Sequence, residues 1–223
     1  MLLSDRTIDL LASSFTEILV PGILVTVPLA VVSFLLGLIL AVVCAVVRTA
    51  RMPVLARLIQ IYVWIFRSTP LLVQLFVVYY GLPNVGIVID SIPAAVITFS
   101  LNVAAYCSET LRGAIASVPR GQLEAGLTSG LSYIQTMRLV ILPQAFRSAF
   151  PALFNSFVSL VKDTSLAANI AVVEMFMAAQ RIATRTYEPF WLYLEAAFIY
   201  LIFCTVLTQV QAAGEKYFSR YEH

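Results

Sequence analysis

Charge is scarce in this sequence. Lys, Arg, Asp and Glu make up 12% of its 223 residues, about half their share in ordinary soluble domains. Apolar residues supply 61% and the mean hydropathy is +0.92, so there are too few polar groups to cover a water-facing surface. A soluble enzyme is thereby excluded. The net charge of +2 gives no reason to expect a nucleic-acid partner. Histidine occurs once, as the terminal His223, and has no assigned role. Cys44, Cys107 and Cys204 stand in apolar stretches without CxxC spacing. They read as small buried apolar residues, not as a disulfide or a metal set, and no metal site is expected. There is no phosphate loop, no GxGxxG and no HExxH, and a single histidine offers little for a Ser-His pairing. Asp5, Asp9, Asp90 and Asp163 are the only aspartates, none of them mid-span, which leaves no paired acids for an intramembrane protease. No inverted repeat is visible, which counts against a secondary transporter.

What the sequence has in abundance is long uncharged runs. Residues 18–47, 68–89 and 91–108 carry no charge at all, and about 20 apolar residues cross a bilayer as a helix. Five spans are expected, over about 18–47, 58–82, 91–111, 139–161 and 190–214, in one transmembrane domain covering residues 1–223. Pro21, Pro28 and Gly37 mark bending points in the first span, and Arg147 and Pro151 interrupt the fourth. The N-terminal stretch MLLSDRTIDLLASSF has acids and no basic run before its first apolar segment, so it does not read as a cleaved signal. Arg48, Arg51 and Arg57 follow the first span without an acid, and Lys216 and Arg220 follow the last. The excess of positive charge on cytoplasmic loops then places the C-terminus and residues 112–138 in the cytoplasm and the N-terminus outside.

Two segments are too polar for spans. Residues 112–138 carry Leu123, Leu127, Leu131 and Ile134 at spacings that suit one helical face, among Gly121, Gly126 and Gly130. Taken alone, such a surface helix faces either lipid or a partner protein, lipid being the commoner case. Residues 162–188 hold enough apolar residues for a helix or re-entrant piece and too many charges to span. Most of the 26 residues counted as Phe, Trp and Tyr are explained by interfacial belts, and no cation–π cage is invoked.

Glu124-Ala125-Gly126, Gly130 and Val140-Ile141-Leu142-Pro143 resemble the EAA signature (EAA, three residues, G, nine residues, I-x-LP) of the membrane subunits of bacterial ABC importers. Gly126 stands where the family has a second Ala, and Val140 where it has Ile. Further segments are similar to the polar amino-acid permeases. Arg67-Ser68-Thr69-Pro70-Leu71-Leu72-Val73-Gln74 resembles their RGTPLxxQ segment, with Ser68 for the usual Gly. Glu109-Thr110-Leu111-Arg112 resembles their E-x-x-R pair. Leu142-Pro143-Gln144-Ala145 with Arg147, and Lys162-Asp163-Thr164-Ser165-Leu166, are similar to their LPQA-x-R and K-x-TSL blocks. Together these cover about residues 60–190. The stretches at Asn102 to Tyr106 and Leu160 to Ala168, with Arg185-Thr186, are most similar to cystine permeases.

The resemblance implies an all-α integral membrane protein with the type I ABC importer transmembrane fold. Residues 112–138 become the cytoplasmic coupling segment, with Glu124, Ala125, Gly126, Gly130, Leu142 and Pro143 carrying the contact to an ATPase subunit present in two copies. The other implied partners are an extracytoplasmic amino-acid-binding protein and a second permease subunit, expected to make a homodimer in the bacterial cell membrane. The chain is then no enzyme and has no cofactor of its own, since ATP and Mg belong to the ATPase. The implied cargo is a polar L-amino acid, cystine foremost, with glutamine, basic or acidic amino acids as alternatives. Outside the family, a stand-alone carrier or channel and a membrane-anchored scaffold are the rival readings.

An amino acid carries an ammonium and a carboxylate, and ionisable residues inside a membrane are read as functional by default. Lys162 and Asp163, beside Thr164 and Ser165, supply both signs, or else pair with each other at the interface. Asn102 and Tyr106 are four apart and share a face that Thr98 extends; they hydrogen-bond either substrate or a neighbouring helix. Glu109 and Arg112, three apart, are expected to form a structural salt bridge. Arg67 steadies a gate or snorkels to the interface, with Thr69, Pro70 and Gln74 placed beside it by the resemblance.

Overall fold

The computed structural model describes residues 5–50 and 52–219, and among these every regular element is helical. α1 (Asp5–Pro21) runs through a π-helical turn, Gly22–Thr26, into α2 (Val27–Thr49), so that Arg6–Thr49 forms 44 residues of unbroken helix. α3 (Pro53–Ser68) starts with a proline in its first turn, where a missing N–H costs nothing. It stops because Thr69, which precedes Pro70, is held extended at φ −117° and ψ 146°, as the proline ring demands of its neighbour. The chain resumes as α4 (Leu71–Phe76), a π turn over Val77–Gly81 and a 3₁₀ turn over Leu82–Val85.

α5 (Ser91–Ser117) is followed by the short α6 (Arg120–Thr128) and α7 (Tyr133–Thr136). A π turn, Met137–Ile141, leads into α8 (Leu142–Asp163), and a 3₁₀ segment, Thr164–Ile170, precedes α9 (Met175–Thr186) and α10 (Pro189–Ser219). Among the described residues, three helices are long and apolar enough to cross a membrane: Arg6–Thr49, Ser91–Ser117 and Pro189–Phe218. Two bent pairs raise the number to five if each counts as one span, Pro53–Ser68 with Leu71–Val85, and Tyr133–Ile170 with Met175–Thr186, the latter bent by 51°. The stretch read as a span over 58–82 is thus two helices meeting at Thr69-Pro70. The first span read from residue 18 belongs to a helix that begins well before it.

The chain divides into two compact units. The first comprises Met1–Ser33, Leu72–Thr98 and Phe157–Val210. Its core gathers Ile18, Met175, Ala179, Ile182, Ala183, Leu192, Ala196 and Ile199. α9 supplies the i, i+3, i+4 stripe of this core and turns Arg181, Thr184 and Arg185 outward. Gly22 lets α9 come close, because a Cβ there would lie 3.0 Å from the Met175 sulfur. The sequence pattern gave no warning of one carboxylate in this unit. Glu174, fully buried, accepts from the Phe176 and Met177 amides at 2.8 and 2.7 Å and from the Tyr200 hydroxyl at 3.1 Å. It caps the N-terminus of α9, where negative charge is favoured, and the Met175 amide donates to Thr26 Oγ1 at 3.2 Å. Glu195, also buried, accepts from the Ser14 hydroxyl at 2.5 Å.

The second unit comprises Phe34–Leu71, Phe99–Ser156 and Gln211–His223. Close helix approach defines it. A Cβ on Gly37 would meet Val103 Cγ1 at 2.7 Å and the Ser100 carbonyl at 2.8 Å, and one on Gly214 would meet the Phe150 ring at 2.6 Å. The Phe150 and Phe218 rings lie 4.9 Å apart edge to face, a favourable arrangement. Leu35, Leu36, Ile39 and Val43 in this unit are all more than 40% exposed, as are Phe198, Leu201, Ile202 and Val206 in the first unit. Faces so apolar are stable only against lipid or another protein.

Candidate functional site

The segment 112–138 is built by two local devices. α6 ends in a Schellman turn: the Gly130 amide donates to the Leu127 carbonyl at 3.1 Å and the Leu131 amide to that of Gly126 at 3.2 Å. This requires Gly130 at φ +84°, a conformation that glycine adopts without steric cost. Ser132 then opens α7 with a capping box, taking the Gln135 amide and giving its own amide to Gln135 Oε1 at 2.8 Å. Leu131 therefore falls in the turn and Ile134 on α7, 74% exposed. The four apolar residues expected on one helical face are divided among two helices and the turn between them, because Gly130 stops the first helix.

Gly126 faces its own chain. It is buried, and a Cβ there would sit 2.4 Å from Thr136 Cγ2. The Thr136 methyl group thus occupies the room that alanine would need, which accounts for the departure from the EAA pattern. Glu124 and Ala125 are exposed, and among the described residues Glu124 has no ion-pair partner. Leu123 and Leu127, with Ile115, Pro119, Tyr133 and Met137, line a largely apolar cavity of about 580 Å³. Leu142 and Pro143 begin α8 immediately after the π turn.

At the adjoining end of α5, Glu109 accepts from Arg112 at 2.9 Å and also pairs with Arg48. The partner 61 residues away completes a three-charge cluster, two guanidiniums on one carboxylate, that local spacing does not reveal. Elsewhere in the second unit the Arg67 guanidinium lies over the Tyr106 ring, 5.4 Å from its centroid. The Tyr62 hydroxyl, donating to the Leu101 carbonyl at 2.5 Å, ties α3 to α5 beside them. Asn102 is half-buried on the same helix. Thr69 donates from Oγ1 to the Ile65 carbonyl at 2.8 Å, Pro70 occupies the helix break, and Gln74, in the first unit, is buried.

In the first unit Lys162 and Ser165 line a cavity of about 480 Å³ with Phe176, Tyr193, Tyr200 and Cys204. Asp163 is half-buried and, among the described residues, makes no direct salt bridge with Lys162. The hydroxyls of Thr98 and Thr164 are buried; the first donates to the Ala94 carbonyl of its own helix and the second to the Val161 carbonyl in the last turn of α8. The Ser165 hydroxyl donates to the Lys162 carbonyl. Of the residues expected to meet substrate, Lys162 and Ser165 share a cavity within this unit. Asn102 and Tyr106 belong to the second unit, where Arg67 joins them.

Residues 33–219 match the family described as binding-protein-dependent transport system inner membrane component. The chain is 48% identical, over 96% of its length and 92% of the relative's, to the L-cystine transport system permease protein TcyB of Bacillus subtilis. It is 44% identical to the probable amino-acid ABC transporter permease protein PatM of Vibrio harveyi, over 85% and 86% of the two chains. Its structure matches that of an amino acid ABC transporter with histidines at a TM-score of 0.83 and 27% identity, over 97% and 99% of the chains.

Proposed function

This chain belongs to the binding-protein-dependent transport system inner membrane components and is a permease subunit of an ABC importer for amino acids; we propose that its cargo is L-cystine and that α6 couples it to its ATPase. In such systems ATP hydrolysis sits on a separate ATPase subunit, and a binding protein is the further partner. The chain is a transport component whose task is a two-state rearrangement biased by its ligands. Cystine is favoured by the 48% identity with TcyB.

The observation that carries the coupling role is the construction of α6. A nine-residue helix is too short to be stable by itself. Here it is fixed on one side by Gly126 against Thr136 and at its end by the Gly130 turn, while Glu124, Ala125 and Leu127 stay uncovered. A rigidly mounted helix with an exposed acid and an apolar neighbour suits a docking element. Its two flanks are α5 and α7, so a push on α6 is passed directly to the segments that lead into the spans. Two copies of the chain as a homodimer over two ATPases, with the N-terminus outside and α6 and the C-terminus in the cytoplasm, complete the arrangement we favour. Within the first unit Lys162, Asp163 and Ser165 are the residues we assign to substrate, and within the second unit Asn102 and Tyr106.

Glu124→Lys tests the coupling role. Uptake is expected to fall at least tenfold and co-purification of the ATPase to weaken, while the chain stays in the membrane. Normal uptake together with normal ATPase recovery would overturn the assignment of α6.

A further inference from the structure

Arg67 is held by an aromatic ring and by no carboxylate among the described residues. It lies in the last turn of α3, next to the 109° bend between Pro53–Ser68 and Leu71–Val85. It is exposed, and among the described residues it has no carboxylate partner and donates no hydrogen bond. Its guanidinium lies over the Tyr106 ring. A guanidinium held on a ring with its donors unused is available to an anionic ligand.

From this geometry we propose that Arg67, seated on Tyr106, binds the α-carboxylate of the transported amino acid. A guanidinium stacked on a ring uses its face for the cation–π contact and keeps its edge of N–H donors free. That edge matches the two oxygens of a carboxylate in a bidentate pair. Tyr106, itself 44% exposed, holds the fork in place and leaves it open, and the Tyr62 hydroxyl bond to Leu101 fixes α3 against α5. Asn102, one turn from Tyr106, is placed to read the rest of the amino-acid backbone. Arg67 is thereby moved from gating to ligand recognition. The proposal rests on the amino-acid importer reading and not on the choice of cystine, since every α-amino acid carries this group.

The test uses the permease–ATPase complex in lipid nanodiscs without binding protein. Direct binding of radiolabelled L-cystine is measured, with L-glutamine and L-arginine in parallel and L-cystine dimethyl ester as the carboxylate-blocked competitor. Wild type is expected to prefer the free acid to the ester by at least tenfold, about 1.4 kcal/mol. Arg67→Gln should lose both the affinity and the preference. Arg67→Lys, which keeps the charge and loses the fork, should retain only part of each, and Tyr106→Leu should weaken binding where Tyr106→Phe does not.

If Arg67→Gln does not assemble, the lysine and Tyr106 variants decide. Wild-type affinity and free-acid preference in Arg67→Lys would mean that charge alone suffices, which overturns the proposal. So would a wild-type complex that binds none of the three amino acids. Binding of glutamine or arginine in place of cystine changes the assigned cargo and leaves the Arg67 comparison intact, run on that amino acid and its methyl ester.

Discussion

Restoring the second alanine of the EAA pattern, Gly126→Ala, should damage this chain. The added Cβ would stand 2.4 Å from Thr136 Cγ2, 2.9 Å from its Oγ1 and 3.2 Å from its Cβ. Carbon atoms rest at about 3.5–4.0 Å, so α6 and α7 must part by about 1 Å. Thr136 has little room to yield. It is fully buried, β-branched, and its hydroxyl donates to the Ser132 carbonyl at 3.0 Å within the turn that the capping box fixes. Overpacking of this kind costs about 1–3 kcal/mol. The assay is thermal unfolding of the purified permease–ATPase complex in nanodiscs, together with uptake in cells, for G126A, T136A and the double variant. G126A should lower the unfolding midpoint and reduce uptake. G126A/T136A should recover most of both, because the two nearest contacts vanish with the threonine side chain. A G126A protein equal to wild type, or a double variant whose effects simply add, would refute the contact as the reason for glycine.

Two other changes follow from the same reasoning. Gly130→Ala places an L-residue at φ +84° in open space, so it should cost about 1–2 kcal/mol through the backbone alone; Gly130→Asn should cost less, and comparing unfolding midpoints of the two separates backbone strain from bulk. Glu174→Ala leaves the Phe176 and Met177 amides and the Tyr200 hydroxyl without their acceptor, at about 1–3 kcal/mol for each buried donor that finds no replacement. Limited proteolysis and hydrogen exchange should then show α9 loosened while α6 is unchanged.

Much of the fold was legible because a bilayer imposes a simple rule on composition. The uncharged runs 18–47 and 91–108 lie inside the helices Arg6–Thr49 and Ser91–Ser117, since charge is what apolar lipid excludes. The break at Thr69-Pro70 was also written locally, in a residue forced out of helix by the proline after it, yet the uncharged run masked it. The stripe from Leu123 to Ile134 misled because periodicity does not register a left-handed glycine, although Gly130 followed by Ser132 and Gln135 holds the stop and the restart. Other features have no local signal. Arg48 reaches Glu109 across 61 residues, Arg67 lies on Tyr106, and Thr136 fills the place of a methyl group at Gly126. Glu174 was passed over for a different reason: glutamate is not among the preferred N-cap residues, and its value here comes from the burial that Tyr200 and Thr26 provide.

We propose that this permease moves its amino acid, L-cystine, only when coupled to a separate ATPase. The most direct test is ATP hydrolysis by the permease co-expressed with its ATPase and binding protein in nanodiscs, with L-cystine, L-glutamine, L-arginine and L-glutamate added one at a time. The account predicts stimulation by L-cystine, lost in Glu124→Lys. Failure of any ATPase to co-purify, with amino-acid flux through the chain alone in liposomes, would contradict it.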